Sequence, residues 1–84
     1  MIEFYLLEEL VTYAEMGTVA KTAEKLGLTQ PSVTRSLKKL EDELGVQLFH
    51  REPNKITLTE TGKYAVRQAK KLLDSNLDFS KDVK

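Results

Sequence analysis

Apolar residues recur at intervals of three or four positions through much of this 84-residue chain, which is the spacing of one face of an α-helix. The first segment of this kind covers residues 2–16, and Gly17 is expected to end it. A first helix is therefore predicted, with Tyr5, Leu6 and Tyr13 lying off its main stripe. That stripe consists of Phe4, Leu7, Leu10, Val11 and Ala14.

Two further helices are predicted over residues 19–26 and 30–44, joined by a short turn. Gly27 lies in that turn, where a left-handed backbone conformation is needed. Thr18 and Thr29 precede the two helices and can cap them with their hydroxyl groups. The two segments together have the pattern of a helix-turn-helix. The inner side of the third helix is formed by Val33, Leu37, Leu40 and Leu44.

The pattern changes after Gly45, where short alternating runs replace the helical spacing. Residues 46–51 and 56–59 are rich in side chains that favour strands. Between them, Pro53 and Asn54 are typical of a turn. A small β-hairpin is therefore predicted in this part of the chain.

A last helix is predicted from a cap at Thr59 or Thr61 to about residue 78. A single helix of this length is marginal in water, so its apolar stripe requires a packing partner. That stripe consists of Val66, Ala69, Leu73 and Leu77.

The outer face of the third helix is polar and basic, and no acidic residue occurs between residues 28 and 40. Such a face offers hydrogen-bonding groups and positive charge to the major groove of DNA. An exposed helix with no ligand usually alternates Glu with Lys, which this one does not do. The outward side chains are Gln30, Ser32, Thr34, Arg35 and Lys38.

The formal net charge is zero, with 13 basic and 13 acidic residues, but the charges are segregated. Residues 1–20 contain four acids and no base, whereas residues 21–55 contain seven bases and five acids. We expect the first segment to face away from phosphates and a DNA-binding surface to lie in the second.

The chain lacks the residues that several other functions require. It has no cysteine and one histidine, so thiol nucleophiles, thiolate or histidine metal sites and a catalytic triad are excluded. It has no glycine-rich phosphate loop, no apolar run near the length of a membrane span and no signal-peptide pattern. We therefore expect a cytoplasmic protein that is not an enzyme and that uses no metal, cofactor or membrane.

Five segments carry a resemblance to a known family. Together they make the chain similar, over nearly its whole length, to the N-terminal DNA-binding domain of bacterial LysR-type transcriptional regulators. The resemblance implies a mostly α winged helix-turn-helix fold, with three helices, a small β-hairpin wing and a long C-terminal linker helix. The segments are Thr22-Ala-Glu-Lys-Leu26, Thr29-Gln-Pro-Ser-Val-Thr-Arg35, Leu37-Lys-Lys-Leu-Glu41, Leu44-Gly-Val-Gln-Leu-Phe-His-Arg51 and Leu58-Thr-Glu-Thr-Gly62.

The same resemblance divides the chain into two parts. Residues 1–58 correspond to the winged helix-turn-helix domain, and residues 59–84 to the linker and dimerisation helix. Within the first part, the helix-turn-helix is expected at about 19–38 and the wing at about 46–58.

In that family the third helix, here residues 30–44, enters the major groove of double-stranded DNA. The resemblance implies that Gln30 pairs with adenine and that Arg35 contacts guanine or phosphate. The hydroxyl of Thr34, at the position of a family serine, either faces DNA or bonds a carbonyl one turn earlier. The other contacts implied for the helices are Thr18, Pro31, Ser32 and Lys38.

The hairpin corresponds to the wing, which lies on the minor groove or the backbone. Asn54 and Lys55 are expected to reach sugar and phosphate groups there. The tip departs from the family pattern because Glu52 would repel phosphate, so we expect a weaker contribution from this wing.

Arg51 matches an arginine that is characteristic of the family. Two roles are open for it: a phosphate contact, or an internal salt bridge with Glu41 or Glu43 that braces the wing. His50 is expected on the solvent side of its strand.

The last helix resembles a linker helix that pairs antiparallel with its copy in a homodimer. Such a dimer would place two recognition helices on an inverted-repeat site. The off-stripe residues of the first helix either complete this interface or pack within the subunit. The implied dimerisation residues are Leu6, Val66, Ala69, Leu73 and Leu77.

Full members of the family carry a C-terminal domain that binds a small-molecule effector, and they form higher oligomers. This domain is absent from the chain, which we therefore expect to be part of a longer protein. A winged-helix module that binds another protein is the main alternative, but it would present an apolar or mixed-charge third helix. The outer face here is polar and basic, which favours DNA.

Overall fold

The computed structural model describes residues 2–83, apart from the side chains of residues 78 and 80. It contains four helices and one antiparallel hairpin, which confirms the predicted mostly α winged helix-turn-helix fold. Residues 1 and 84, at the outer bounds of the two predicted domains, lie outside the described part, and the division after residue 58 stays a prediction. The elements are α1 (Phe4–Met16), α2 (Val19–Leu26), α3 (Gln30–Leu44), β1 (Phe49–Glu52), β2 (Lys55–Leu58) and α4 (Glu60–Val83).

The turn between α2 and α3 forms as its residues predict. Gly27 adopts a left-handed conformation with φ 68°, which a residue with a side chain would adopt only at a cost. The hydroxyls of Thr18 and Thr29 each accept a hydrogen bond from the backbone N–H three residues later, at 3.1 and 3.3 Å. These caps define where α2 and α3 begin.

The buried face of α1 differs from the prediction. Leu6, Leu10 and Tyr13 are buried, whereas Phe4 and Ala14 of the predicted stripe are exposed. The predicted stripe was therefore wrong at Phe4 and Ala14, whereas Leu10 is in the core and Leu7 and Val11 pack against it. Leu10 belongs both to the predicted stripe and to the buried row, which is why the spacing alone allowed either orientation.

The inner row of α3 is buried at Val33, Leu37 and Leu40, but the prediction fails at Leu44, which is exposed in the last turn. This turn extends beyond the end of the core. Ala23 of α2 is buried, where its small side chain permits close packing. The rest of the buried apolar core is formed by Leu6, Leu10, Tyr13, Leu48, Phe49 and Ala69.

The hairpin is tied to the beginning of α4. β1 and β2 pair antiparallel, with Phe49 opposite Leu58 at the base. Thr59 caps α4, since its hydroxyl accepts the N–H of Gly62 at 2.9 Å and donates to the carbonyl of Gln47 at 2.8 Å. α4 then continues to residue 83, five residues beyond the predicted end.

Candidate nucleic-acid interface

The outer face of α3 presents a group of neighbouring exposed side chains with no internal partner. Gln30, Pro31, Thr34 and Arg35 together line one shallow depression on the surface. Within residues 2–83, none of these side chains forms a hydrogen bond or an ion pair with the rest of the protein. Their polar atoms are therefore free for an external ligand. The backbone bond considered for Thr34 is one of those that do not form.

The other predicted contacts of the helices are less freely available. Lys38 is exposed, but its Nζ lies 3.2 Å from Asp42 Oδ1 one turn later, so its charge is partly compensated. Ser32 is half-buried on the side of α3 that faces α1. Thr18 is exposed at the start of α2, and its hydroxyl oxygen is already used in the cap. The outer face of α3 therefore has unpartnered polar side chains at its centre, and the predicted contact residues around them already have contacts within the protein.

Lys39 points from α3 towards the start of α1 and contributes to packing. Its Nζ lies 3.4 Å from Glu3 Oε1 and donates to the hydroxyl of Tyr5 at 3.5 Å. The hydrogen bond with Tyr5, followed by the charge of Glu3, raises the pKa of Lys39. Tyr5 therefore contacts α3 but stays 44% exposed, so both of its predicted alternatives remain open.

Arg51 forms the internal salt bridge that was one of its two open roles. Its Nη1 lies 2.7 Å from Oε1 of Glu41, a residue of α3 whose side chain is only 5% exposed. The other carboxylate oxygen accepts the backbone N–H groups of Leu48 and Phe49 at 2.7 and 3.1 Å. Glu41 thereby connects the inner side of α3 to the first strand of the wing. His50 is exposed on its strand, as predicted.

The other helix that holds the wing is α1. The hydroxyl of Tyr13 donates to the carbonyl oxygen of Ile56 in β2 at 2.7 Å, and burial raises the pKa of this phenol. The ring of Tyr13 also packs edge-on against Phe49, with 5.4 Å between centroids. Tyr13 thus packs within the subunit, which was one of its two predicted alternatives, whereas its hydrogen bond to the wing was not predicted.

At the tip of the wing, Asn54 and Lys55 are exposed in the turn and at the start of β2. Glu52 lies directly opposite Lys55 in the hairpin register. The tip therefore carries one acid opposite one base and has no net charge; that this wing contributes less to DNA binding stays a prediction.

The predicted dimerisation residues do not form one surface. Leu6 is 0% exposed and Ala69 is 2% exposed, so both are buried within the subunit and cannot meet a partner without unfolding. Val66 and Leu73 are half-buried, while Leu77 is 64% exposed. The stripe of α4 thus serves the core in its first half and faces solvent in its second half.

An apolar groove of about 870 Å³ runs between α1, the end of α3 and α4. This groove was not predicted from the sequence, because its lining comes from parts of the chain that are far apart in sequence. The exposed apolar side chains that line the groove are Phe4, Leu44, Val46, Tyr64 and Leu72.

Two other kinds of site were sought in the described part of the chain. No group of three or more His, Asp or Glu side chains there could hold a metal ion. None of the described helices is long and apolar enough to cross a membrane.

A protein-family model matches residues 4–63, and its description is bacterial regulatory helix-turn-helix protein, lysR family. The match extends from the first residue of α1 to the first turn of α4. It therefore includes α3, the wing and both of the helices that hold the wing.

Curated relatives are similar over most of the chain. The uncharacterized HTH-type transcriptional regulator YbhD of Escherichia coli K12 is 40% identical over 67 residues, which is 80% of this chain and 21% of YbhD. The SDS degradation transcriptional activation protein of a Pseudomonas species is 39% identical over 70 residues, which is 83% of this chain and 23% of that protein. The chain thus spans less than a quarter of the length of either. Both are transcriptional regulators and not enzymes.

Among solved structures, the crystal structure of the CbnR DNA-binding domain in complex with DNA is similar to the chain with a TM-score of 0.92 and 32% identity. The similarity covers 98% of this chain and 94% of that one. CbnR is a LysR family transcriptional regulator. The fold described above is therefore shared with a domain that has been solved together with DNA.

Proposed function

Since the chain belongs to the LysR family of bacterial regulatory helix-turn-helix proteins, and is the DNA-binding domain of such a regulator, we propose that it reads a specific double-stranded DNA sequence through the outer face of α3. The observation that supports this most directly is the group of unpartnered side chains at Gln30, Thr34 and Arg35. A carboxamide can pair with adenine in two hydrogen bonds, and a guanidinium can do so with guanine. Pro31 lines the same depression, whereas Ser32, half-buried on the side towards α1, would meet the sugar-phosphate chain from the edge of this face.

The remaining DNA contacts in this proposal position the domain. Lys38 contacts phosphate once its ion pair with Asp42 is broken. That ion pair is exposed and therefore weak. Thr18 offers its backbone at the start of α2, where the helix dipole favours an anion. Asn54 and Lys55 lie along the minor groove or the backbone. These contacts supply affinity that does not depend on base sequence.

The test is a selection of bound sequences from random duplex DNA, followed by affinity measurements on the selected site. Gln30→Ala and Arg35→Ala should each cost about 1–3 kcal/mol on that site, with little loss on random DNA. Arg67→Ala, an exposed arginine of α4, is the matched control and should bind like the wild type. Failure to enrich any sequence, or equal losses on both kinds of DNA, would overturn base reading by α3.

We further propose that the domain is a homodimer in which the exposed half of α4 contacts its copy, so that two recognition helices bind an inverted repeat. The apolar side chains at Leu72 and Leu77 support this, because they are exposed and continue from the groove between α1 and α4. Leu73 and Val66 add their partly exposed edges. Leu6 and Ala69 are no longer included, because the core buries them.

Leu77→Glu tests this interface, since it places a charge on the exposed end of the stripe without entering the core. Ser75→Glu adds the same charge on the opposite side of α4 and is the matched control. Sedimentation equilibrium over a dilution series should show a dimer for the wild type and for the control, and a monomer for Leu77→Glu. A wild type that stays monomeric at the highest concentration contradicts the proposal.

We propose finally that the domain acts in the cytoplasm as part of a longer regulator. The remainder of that regulator would bind a small-molecule effector and add oligomer contacts. The lengths of the relatives support this, since the chain spans 21% and 23% of two of them.

A further inference from the structure

We propose that Glu41 is a positioning residue that sets the wing at a fixed place relative to the recognition helix. Its consequence for DNA binding rests on the function proposed above. Glu41 does not face DNA: its side chain is buried between α3 and β1. It would act through the geometry of the wing and not through a contact of its own.

One carboxylate holds the beginning of the wing at three points. Oε2 accepts the N–H groups of Leu48 and Phe49, two successive residues at the start of β1, at 2.7 and 3.1 Å. Oε1 lies 2.7 Å from Nη1 of Arg51, two residues further along the same strand. Hydrogen bonds to a charged acceptor are shorter and stronger than neutral ones, and a low-dielectric surrounding strengthens them further.

Packing around Arg51 also restricts the orientation of β1 on α3. The guanidinium of Arg51 lies over the ring of Phe49, with 5.5 Å between its central carbon and the ring centroid. Phe49 is fully buried, and its ring contacts Tyr13 of α1. The three contact points and the stacked ring together restrict the orientation of β1 on α3.

Thr59 at the start of α4 bonds the carbonyls of Gln47 and Leu48, just before β1, and two further helices each hold one strand. α3 holds β1 through Glu41, and α1 holds β2 through the bond from Tyr13 to the carbonyl of Ile56. A two-stranded hairpin is only marginally stable alone, so its orientation depends on such attachments. Without Glu41, β1 would lose its polar attachments to α3.

The positioning role and simple electrostatics predict opposite effects on DNA binding. Removing the negative charge of Glu41 should favour an approach to phosphate if charge alone mattered. If the residue sets the spacing between α3 and the wing, the same change should weaken binding, because both surfaces must reach DNA together. Glu43→Gln, an exposed acid two residues later on α3, removes the same charge without touching the wing.

The orientation of the wing is measured without DNA, by electron spin resonance between spin labels on Lys38→Cys and Asn54→Cys. The natural sequence has no cysteine, so no other position is labelled. Dilution with unlabelled protein restricts the signal to distances within one chain. We expect one narrow distance distribution in the labelled protein that retains Glu41, and in the same labelled protein with Glu43→Gln. In Glu41→Gln we expect a broad distance distribution, because the amide nitrogen of Gln would place a hydrogen-bond donor against the guanidinium of Arg51.

DNA affinity of the unlabelled proteins on the selected site is the second measurement, made where circular dichroism shows every variant folded. We expect Glu41→Gln to bind about tenfold more weakly than the wild type, as fits the loss of a charge-assisted anchor. Glu43→Gln should bind as well as the wild type or better. Should Glu41→Gln not fold, Arg51→Met replaces it, since that side chain is 38% exposed and its loss removes one anchor only.

An unchanged distance distribution in the folded variant overturns the positioning role. A broad distribution with undiminished DNA affinity overturns its consequence for binding. If the wild type bound no DNA, the proposed function would fail, while the distance measurement would still decide whether Glu41 holds the wing.

Discussion

The junction between α3 and the wing and the junction between α1 and α3 each bury one glutamate, and the two carboxylates are in opposite situations. Glu41 at the first junction is 5% exposed; its Oε2 accepts two backbone N–H groups, and its Oε1, which has no hydrogen bond among residues 2–83, is compensated by the charge of Arg51 at 2.7 Å. Glu9 at the second is 4% exposed, and its Oε1 has no hydrogen-bond partner among residues 2–83. A buried glutamate therefore stabilises the first junction and destabilises the second.

The physical chemistry of Glu9 reflects this. Burial raises the pKa of its carboxyl group, and the charge of Glu8 acts in the same direction. A hydrogen bond with Ser36 of α3 lowers the pKa again, but does not offset the burial. A buried charge is tolerated where donors replace the lost water, as at Glu41, and costs stability where they do not. The wing is thus held by a carboxylate that has two backbone donors and an ion pair, whereas α3 is held on α1 mainly by apolar packing.

The largest effect should follow from removing the carboxylate of Glu41. Glu41→Ala leaves the backbone N–H groups of Leu48 and Phe49 buried without an acceptor, and should lower the free energy of unfolding by about 3 kcal/mol. Arg51 adds less to this loss because it can turn to solvent. Urea unfolding followed by circular dichroism measures the change. Glu43→Ala is the matched control and should stay within about 0.5 kcal/mol of the wild type. A similar result for both variants would contradict the contrast.

The opposite sign is expected for Glu9→Gln, which should stabilise the domain by about 1 kcal/mol at neutral pH. The folded-state pKa lies above the ordinary value of 4.5, so the folded protein holds this proton more tightly than the unfolded chain does. The wild type should therefore lose stability as pH rises from 4.5 through the raised pKa, and the variant should not.

Thermal unfolding from pH 4 to 8 measures this difference, with Glu15→Gln, an exposed acid on α1, as the control. The gap between Glu9→Gln and the wild type should widen with pH and then stay constant. A gap that narrows as pH rises would show that Glu9 is favourably charged in the fold.

The elements that follow local rules could be predicted from the sequence. Gly27 and the caps at Thr18 and Thr29 act through their own backbone and their nearest neighbours, so the bounds of α2 and α3 were predicted correctly. The free polar face of α3 was also recognisable, because an acid-free helix surface is unusual whatever lies beneath it. That these side chains contact DNA stays a prediction.

Features that depend on distant partners could not be predicted in the same way. A salt bridge of Arg51 with Glu41 or Glu43 was one of two open roles, but nothing local shows which acid faces the start of β1 or that Glu41 also accepts two backbone N–H groups there. The orientation of α1 was decided by Tyr13, whose partner Ile56 is 43 residues away. The stripe of α4 was read as one interface, although the core buries its first half. In each case the deciding contact lies outside the helix whose pattern was read.

A third glutamate, exposed at the wing, separates folding from function and should give the smallest effect. Glu52 lies opposite Lys55 and is exposed, so Glu52→Arg should change the free energy of unfolding by only about 0.5 kcal/mol, through like-charge repulsion across the hairpin. On DNA the same change should strengthen binding to all sequences by less than about 1 kcal/mol and steepen its salt dependence, because a repulsive charge becomes a phosphate contact.

Asp74→Arg on α4 makes the same change in net charge far from the wing along the chain, and screening should leave its affinity near that of the wild type. Titrations on the selected and on random DNA at several salt concentrations distinguish the two variants. Equal gains for both would assign the effect to net charge, and the wing of this domain would then not approach the backbone.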